Sequence, residues 1–261
     1  MKVVLFCGGR GLRMRQSTSD TRPKPIQLIG RRPLLWHVMR YYAHFGHTEF
    51  ILCLGYGAQS IMDYFDSHPD LVGDWRISFV RSGVDTPIGE RLRRVRHHVE
   101  GDELFLANYA DVVTDAPLDD MIAKFRSSGA AASLLAVPPP VSFHCVEVGA
   151  DGMVSRLQAA SQLPMWVNGG YFVLTPEIFD HLPKGGDLVQ DCCTSLAEEG
   201  RLLAQPFTGF WRSVDTVKER IELDAQWRSG TAPWALWNLR GNPSAEPLGA
   251  DLKPAVWSDV A

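Results

Sequence analysis

An apolar run, Val3 to Cys7, empties into Gly8-Gly9-Arg10-Gly11-Leu12-Arg13, and further on Lys24 is held between Pro23 and Pro25. Those residue types handle phosphate. Glycines let the backbone approach a ligand closely and aim its N–H groups at an anion. Arg10, Arg13 and Arg15 add guanidinium forks that match phosphate oxygens. Lys24 cannot sit in a helix interior between two prolines, so a rigid, extended segment is expected to present it as a fixed point charge. Taken singly, each piece has a plainer reading: a tight turn, or a solvated lysine. Two familiar phosphate motifs are absent. Met14 stands where the dinucleotide fingerprint has its third glycine, and no Gly-Lys-Ser/Thr follows Gly8, Gly9 and Gly11. Two aspartates complete the set. Asp111 ends the apolar segment "LFLANYAD", and Asp215 follows "FWRSV" just before a helical pattern, where it is a candidate N-cap.

The elements that must carry these residues alternate. Val3 to Cys7, "EFILCLGY" (49–56), "WRISFV" (75–80), "ELFLANYAD" (103–111) and "AASLLAV" (131–137) read as strands, and the continuous apolar runs fit a sheet buried on both faces. Between them "RPLLWHVMRYYAHFG" places Leu34, Leu35, Val38, Met39, Tyr42 and Phe45 on one helical face, with Gly46 as its stop. Residues 58–65, 91–99 and 117–129 also read as helices. Alternation predicts an α/β, Rossmann-like fold with a mostly parallel sheet flanked by helices. Loops leaving the carboxyl ends of such strands are where ligands bind. The second half is richer in β signal: a hairpin turning at Ala150-Asp151-Gly152, then strands in "MWVNGGYFVL" and "RLLAQPF", with helices in "PEIFDHL" and "DTVKERIELDAQWRSG". We expect one domain over residues 1–237, in an alternating first part (1–140) and a smaller β-rich part (141–237), followed by a Gly/Pro/Ala-rich tail from 238 to 261.

Bulk properties narrow the classes. With 261 residues, 45% hydrophobic and 21% charged, the chain can form a sizeable core. A net charge of −4 gives no reason to expect nucleic-acid or anionic-membrane binding. No apolar run approaches the ~20 residues of a membrane span. Five cysteines without CxxC spacing fit a reducing, cytoplasmic setting, with Cys192-Cys193 read as unpaired residues near a helix start.

The pattern GGxGxR followed by PKP resembles the signature of the sugar-1-phosphate nucleotidyltransferases, with Leu12 where a threonine is usual. The segments "RRPLLWHVMRYYAHFGHTEFILCLGYGAQSIMDYF", "ERLRRV", "VNGGYFVL", "GFWRSVDT" and "WRSGTAPW" resemble the cytidylyltransferases of this family, in the same order, over most of residues 1–237. The resemblance implies that a sugar 1-phosphate oxygen attacks the α-phosphorus of a nucleoside triphosphate, CTP being favoured, with pyrophosphate leaving. It implies Cys7, Gly8, Gly9, Gly11, Arg13, Lys24 and Arg91 at the nucleotide, and Arg13, Lys24 and Asp111 as catalytic residues. Asp111 and Asp215 would hold Mg²⁺, and Asn168, Gly169 and Gly170 would line the sugar pocket. An ordinary exposed arginine is the plain alternative for Arg91, and a turn residue for Asn168.

Three departures stand out. Where the family carries Glu-Lys-Pro after the "SRLQ" strand, Ala159-Ala160 replaces the acidic and basic pair. Loss of a charge-assisted phosphate contact worth about 1.5–3 kcal/mol means roughly ten- to a hundredfold weaker binding; Arg156 and Arg212 are candidates to substitute. The segment "VRSGVDTP" runs directly to Arg91 without the insertion associated with subunit contact, which leaves homo-oligomerisation open. Ala110 stands where a glycine usually precedes the metal aspartate. Three readings follow: an active transferase with a sugar 1-phosphate or an altered phosphate acceptor; a catalytically impaired nucleotide-binding or regulatory homologue; and, ranked last because Asp111 is followed by Val112-Val113 rather than completing a DxD pair, a glycosyltransferase.

Overall fold

The computed structural model describes residues 1–9, 22–140 and 143–238. The chain begins with β1 (Lys2–Cys7), a short hairpin of β2 (Leu28–Ile29) and β3 (Arg32–Pro33), and α1 (Leu34–His44). Next come β4 (Glu49–Leu54), α2 (Ala58–Asp66), β5 (Arg76–Arg81), α3 (Ile88–Arg94) and α4 (Arg96–Val99). β6 (Phe105–Tyr109), β7 (Val112–Thr114), α5 (Leu118–Ser128) and β8 (Ala132–Val137) follow. The remainder contains the hairpin of β9 (His144–Val148) and β10 (Val154–Ala159), then β11 (Val167–Leu174), α6 (Thr194–Glu198), β12 (Leu202–Pro206), β13 (Trp211–Ser213) and α7 (Val217–Arg228).

Seven strands form one sheet in the order β12-β8-β11-β6-β1-β4-β5. Six run parallel to one another, and β11 is antiparallel to both of its neighbours, β6 and β8. The mostly parallel α/β architecture expected from the alternating pattern is therefore present. β1 shows why its apolar run does not alternate. Val3, Leu5 and Cys7 pack into one core cluster and Val4 and Phe6 into another, one on each face of the sheet. A strand covered on both faces needs apolar residues at every position. α1 buries Leu34, Leu35, Val38, Met39 and Tyr42 in the first cluster, and Gly46, at φ 81°, ends it as anticipated.

Local readings needed several adjustments. The 91–99 helix is two: α3 stops at Arg94 and α4 starts at Arg96, although Leu92, Val95 and Val99 are all fully buried. "PEIFDHL" forms a 3₁₀ turn, Pro176–Asp180, and Asp111 lies two residues beyond the end of β6. The hairpin turn at Ala150-Asp151-Gly152 is present, with Gly152 at φ 80° and a Gly149 N–H to Met153 O bond of 2.8 Å. Cys192 and Cys193 are buried free thiols at the end of a π-helical turn, Leu188–Cys193, that runs into α6. The N-cap of α7 is Thr216, not Asp215. Thr216 Oγ1 accepts from the Glu219 N–H while the Glu219 carboxylate accepts from the Thr216 N–H, a reciprocal capping box. Asp215 is thereby released for another partner. Among the described residues no helix is long and apolar enough to cross a membrane.

Candidate active site

Lys24 joins two aspartates that lie far away in sequence. Its ammonium donates to Asp111 Oδ2 at 2.6 Å and to Asp215 Oδ1 at 2.7 Å. The lysine is not on an extended segment. Pro23 is extended (φ −64°, ψ 148°), and Lys24 then opens a one-turn 3₁₀ helix, Lys24–Ile26, that tucks the side chain inward. Its side chain is only 10% exposed, whereas each aspartate is 34% exposed. A buried ammonium needs paired acceptors, and two carboxylates provide them.

Backbone pairing brings the two aspartates together. β7 and β13 run antiparallel with Val112 opposite Ser213, and the Val214 N–H donates to Asp111 O at 2.9 Å. Asp111 therefore precedes one strand of the pair and Asp215 follows the other, at the same end. Asp215 N–H is held by Glu219 Oε2 at 2.7 Å, which orients the turn into α7.

A cavity of about 480 Å³ opens beside this triad, lined among others by Cys7, Gly8, Gly9, Lys24, Tyr109 and Asp111. It lies beyond the carboxyl ends of β1 and β6, where ligands bind in open α/β sheets. Its other wall is the Val84–Ile88 segment between β5 and α3. Gly8 and Gly9 differ in their surroundings. A Cβ on Gly8 would lie 1.9 Å from an Arg91 guanidinium nitrogen, whereas a Cβ on Gly9 would have no described atom within 4 Å. Among the described residues, nothing packs where a Gly9 side chain would stand. Burial first, then Cys53 and Asp111, pushes the Cys7 thiol well up, so Cys7 is a neutral wall group. A second cavity of about 590 Å³ is lined by Pro138–Pro140, Trp211, Arg212, Ser213, Thr216 and Lys218, among others. Asp111 lines the first cavity, and Ser213 and Thr216, which flank Asp215 at a distance of one or two residues, line the second.

Among the other anticipated residues, Gly11 and Arg13 lie outside the described residues, as do Arg10, Arg15 and the tail beyond Asn238. Arg91 lines the first cavity but is only 4% exposed, so it is not an ordinary exposed arginine. Asn168, Gly169 and Gly170 sit at an irregularity in the β11–β8 register. Asn168 Oδ1 accepts from the Gly170 N–H at 2.8 Å, and its amide nitrogen reaches Tyr109 Oη at 3.4 Å. Gly169 O accepts from the Trp211 indole N–H at 2.8 Å, which ties β11 to the second cavity. Ala110, buried at 2% exposure, is part of the first cavity's wall. Ala159 ends β10, and the Ala160 N–H donates to Phe143 O. Arg156 pairs with Glu147 on the hairpin at 3.6 Å and is 59% exposed; Arg212 lies in the second cavity.

Tyr109 was not anticipated. Burial first, then the charge of Asp187, pushes its hydroxyl up to about 12, so it is a neutral wall group. Only the spacing of two residues to Asp111 could have pointed to it. Asp111 and Asp215 offer hard oxygen donors converging on one cation, Lys24 Nζ. Two carboxylates completed by phosphate oxygens and water are a donor set that fits a divalent cation such as magnesium.

The chain matches known proteins over most of its length. The family model described as nucleotidyl transferase matches residues 2–260. A protein of Bacillus subtilis (strain 168) named as a probable glucose-1-phosphate cytidylyltransferase is 35% identical over 257 residues, covering 91% of this chain and 100% of that one. The glucose-1-phosphate cytidylyltransferase of Salmonella typhimurium (strain LT2) is 32% identical over the same shares. Among solved structures, a UDP-glucose pyrophosphorylase complexed with UDP-glucose superposes with a TM-score of 0.67 at 18% identity, covering 88% of this chain and 98% of the other. HddC from Yersinia pseudotuberculosis, complexed with GMP-PN, gives 0.64 at 17% identity over 86% and 98%. At such identity the two structures speak to the fold alone. With two carboxylates on one lysine at the ligand edge of the sheet, and with the family model spanning nearly the whole length, the chain belongs to the nucleotidyl transferase family, among the sugar-1-phosphate nucleotidyltransferases.

Proposed function

We propose that this enzyme transfers CMP from CTP to a sugar 1-phosphate or a related phosphate acceptor, with Mg²⁺, releasing pyrophosphate and forming a CDP-sugar. The observation that carries the reading is the Lys24–Asp111–Asp215 cluster between two cavities. The cytidine preference is supported by the names of the relatives at 35% and 32% identity. Residues 1–140 would hold the nucleotide and 141–237 the acceptor. The unpaired cysteines fit a cytoplasmic setting.

The acceptor phosphate is already anionic at neutral pH, so no general base is needed. One of its oxygens forms a bond to the α-phosphorus of CTP, the bond from that phosphorus to the bridging oxygen breaks, and pyrophosphate carries the electron pair away. The protein's task is to align two polyanions and offset their charge. Asp111 and Asp215 would hold Mg²⁺, which supplies charge neutralisation across the phosphates when bound. Lys24, held by the same two carboxylates, would meet the α-phosphate region. Gly8, Gly9, Gly11 and Arg13 would take the triphosphate, and Cys7 and Tyr109 would wall the nucleoside. The second cavity, tied through Trp211 to the Asn168–Gly170 segment, would take the acceptor.

A second reading is favoured by one observation: Ala159 and Ala160 offer two methyls where charges are expected, which fits an impaired nucleotide-binding homologue. Pyrophosphate release decides between them. Each triphosphate is tested with Mg²⁺ against a panel of sugar 1-phosphates, a cyclitol phosphate and a phosphonate, with Asp111→Asn as control. Release with CTP that disappears in the variant supports the transferase. Silence across the panel while CTP still binds supports the impaired homologue.

A further inference from the structure

A single ammonium stands where two carboxylates converge. Lys24 Nζ donates to Asp111 Oδ2 at 2.6 Å and to Asp215 Oδ1 at 2.7 Å, short even among charge-assisted bonds, which run about 2.7–2.9 Å. The carboxylates sit on a fixed frame. β7 pairs with β13, the Val214 N–H donates to Asp111 O at 2.9 Å, and the Asp215 N–H donates to Glu219 Oε2 at 2.7 Å. Lys24 differs from them. Its backbone is set by Pro23, Pro25 and the 3₁₀ turn, but its ammonium is carried on a flexible stem with rotatable donors. Lys24 also lines the first cavity, together with Gly8 and Gly9. Within this cluster the lysine side chain is the part free to rotate, and the cavity it lines is where it can turn.

We infer that Lys24 is the stand-in cation of Asp111 and Asp215 in the ligand-free enzyme, and that it exchanges those carboxylates for phosphate oxygens when a divalent cation binds there. This rests on the reading of the two aspartates as metal carboxylates. Lys24 must leave Asp111 Oδ2 or Asp215 Oδ1 before that oxygen can bind a divalent cation, because two positive groups at one oxygen repel strongly at such a distance. Metal alone would leave an ammonium that is only 10% exposed without its acceptors, which is costly. Phosphate oxygens in the first cavity would give Lys24 new acceptors. Metal and triphosphate therefore favour each other through Lys24, and by linkage the effect is reciprocal. Before nucleotide arrives, the same exchange keeps the aspartates paired and metal loosely held.

The test measures Mg²⁺ binding by calorimetry with the full chain and no nucleotide, for wild type, Lys24→Met, Asp111→Asn and the double variant. Lys24→Met is expected to bind Mg²⁺ at least about tenfold more tightly than wild type, the worth of one charge-assisted bond that no longer has to break. The gain is expected to vanish when Asp111→Asn is added. Loss of a nearby positive charge would by itself tighten metal binding, so the position of the lysine is also read directly. Lysine-selective ¹⁵N magnetic resonance of the wild type follows the NH₃⁺ signal that disappears in Lys24→Arg. On saturation with Mg²⁺ this signal is expected to be lost into exchange with water, as happens to an ammonium released from its acceptors. The resonance measurement needs only wild type and the charge-conserving variant, and carries the test if Lys24→Met does not fold. A signal that persists while Mg²⁺ is bound in an Asp111-dependent way would overturn the exchange, and so would a Lys24→Met protein that binds Mg²⁺ no more tightly than wild type. Absence of Asp111-dependent Mg²⁺ binding in wild type and Lys24→Met alike would instead remove the metal reading itself, and the inference with it.

Discussion

Replacing Gly8 by alanine tests whether the turn and Arg91 form one unit. Gly8 does not have a positive φ, so alanine is permitted by the backbone and the cost is steric. The new methyl would lie 1.9, 2.2 and 2.5 Å from three guanidinium atoms of Arg91. The far end of a flexible arginine could ordinarily move aside. Here it is held by three hydrogen bonds of 2.8–2.9 Å, so movement breaks them. Overpacking costs about 1–3 kcal/mol, and bonds from a charged donor are worth about 1.5 kcal/mol or more each. Because the arginine either stays and strains or leaves and loses its bonds, the two costs are alternatives, and Gly8→Ala is expected to destabilise by the smaller, about 1–3 kcal/mol. Urea unfolding reads this as a lower midpoint at unchanged slope. In an Arg91→Ala background the methyl has room, and the same change is expected to cost less than about 1 kcal/mol. Gly9→Ala is the companion control. It is expected to leave stability within about 0.5 kcal/mol and to weaken CTP binding about tenfold by obstructing backbone approach. A Gly8→Ala protein as stable as wild type, or an equal cost with and without Arg91, would refute this contact geometry.

Asp111→Asn and Asp215→Asn are each expected to lower pyrophosphate release at least about a hundredfold while the fold is kept; activity within tenfold of wild type would remove that aspartate from the machinery. Gly170, at φ 75°, has the Tyr109 ring 2.5 Å from where a Cβ would stand, so Gly170→Ala is expected to cost about 2–4 kcal/mol in urea unfolding and to raise the KM for CTP by displacing the tyrosine. Burial lowers His37 to about 4, and both ring nitrogens are occupied: Nε2 donates to Ile29 O, and Nδ1 accepts from the Trp234 indole N–H. The unfolded histidine binds its proton more readily, so this site's stability is fully present above about pH 6.5 and is lost as pH falls through about 4, roughly 3 kcal/mol in all. The loss is read from unfolding midpoints across that range, and a His37→Gln variant is expected to lack that part of it.

What the sequence determined by itself was local and periodic. The unbroken apolar run of β1 and the amphipathic face of α1 depend on spacing along a few residues, and so does the stop at Gly46. The α/β class followed from their alternation, and GGxGxR with PKP pointed to phosphate at the end of β1. Tertiary structure decided what lies across distance. Pairing of β7 with β13 is what sets Asp111 and Asp215 at one end of a ladder, with Lys24 between them. The Thr216-x-x-Glu219 spacing is a local signature of the α7 cap, but the partner that Asp215 takes instead lies 191 residues away and no local pattern shows it. Burial of Lys24 reverses the ordinary expectation for a lysine, because two carboxylates offset its desolvation. Arg91 was placed at the nucleotide by resemblance, with an exposed arginine as the plain alternative, yet its direction is set by three acceptors that fold back from Ser82 to Thr86. Residue type limits which bonds can form, and packing selects which of them do.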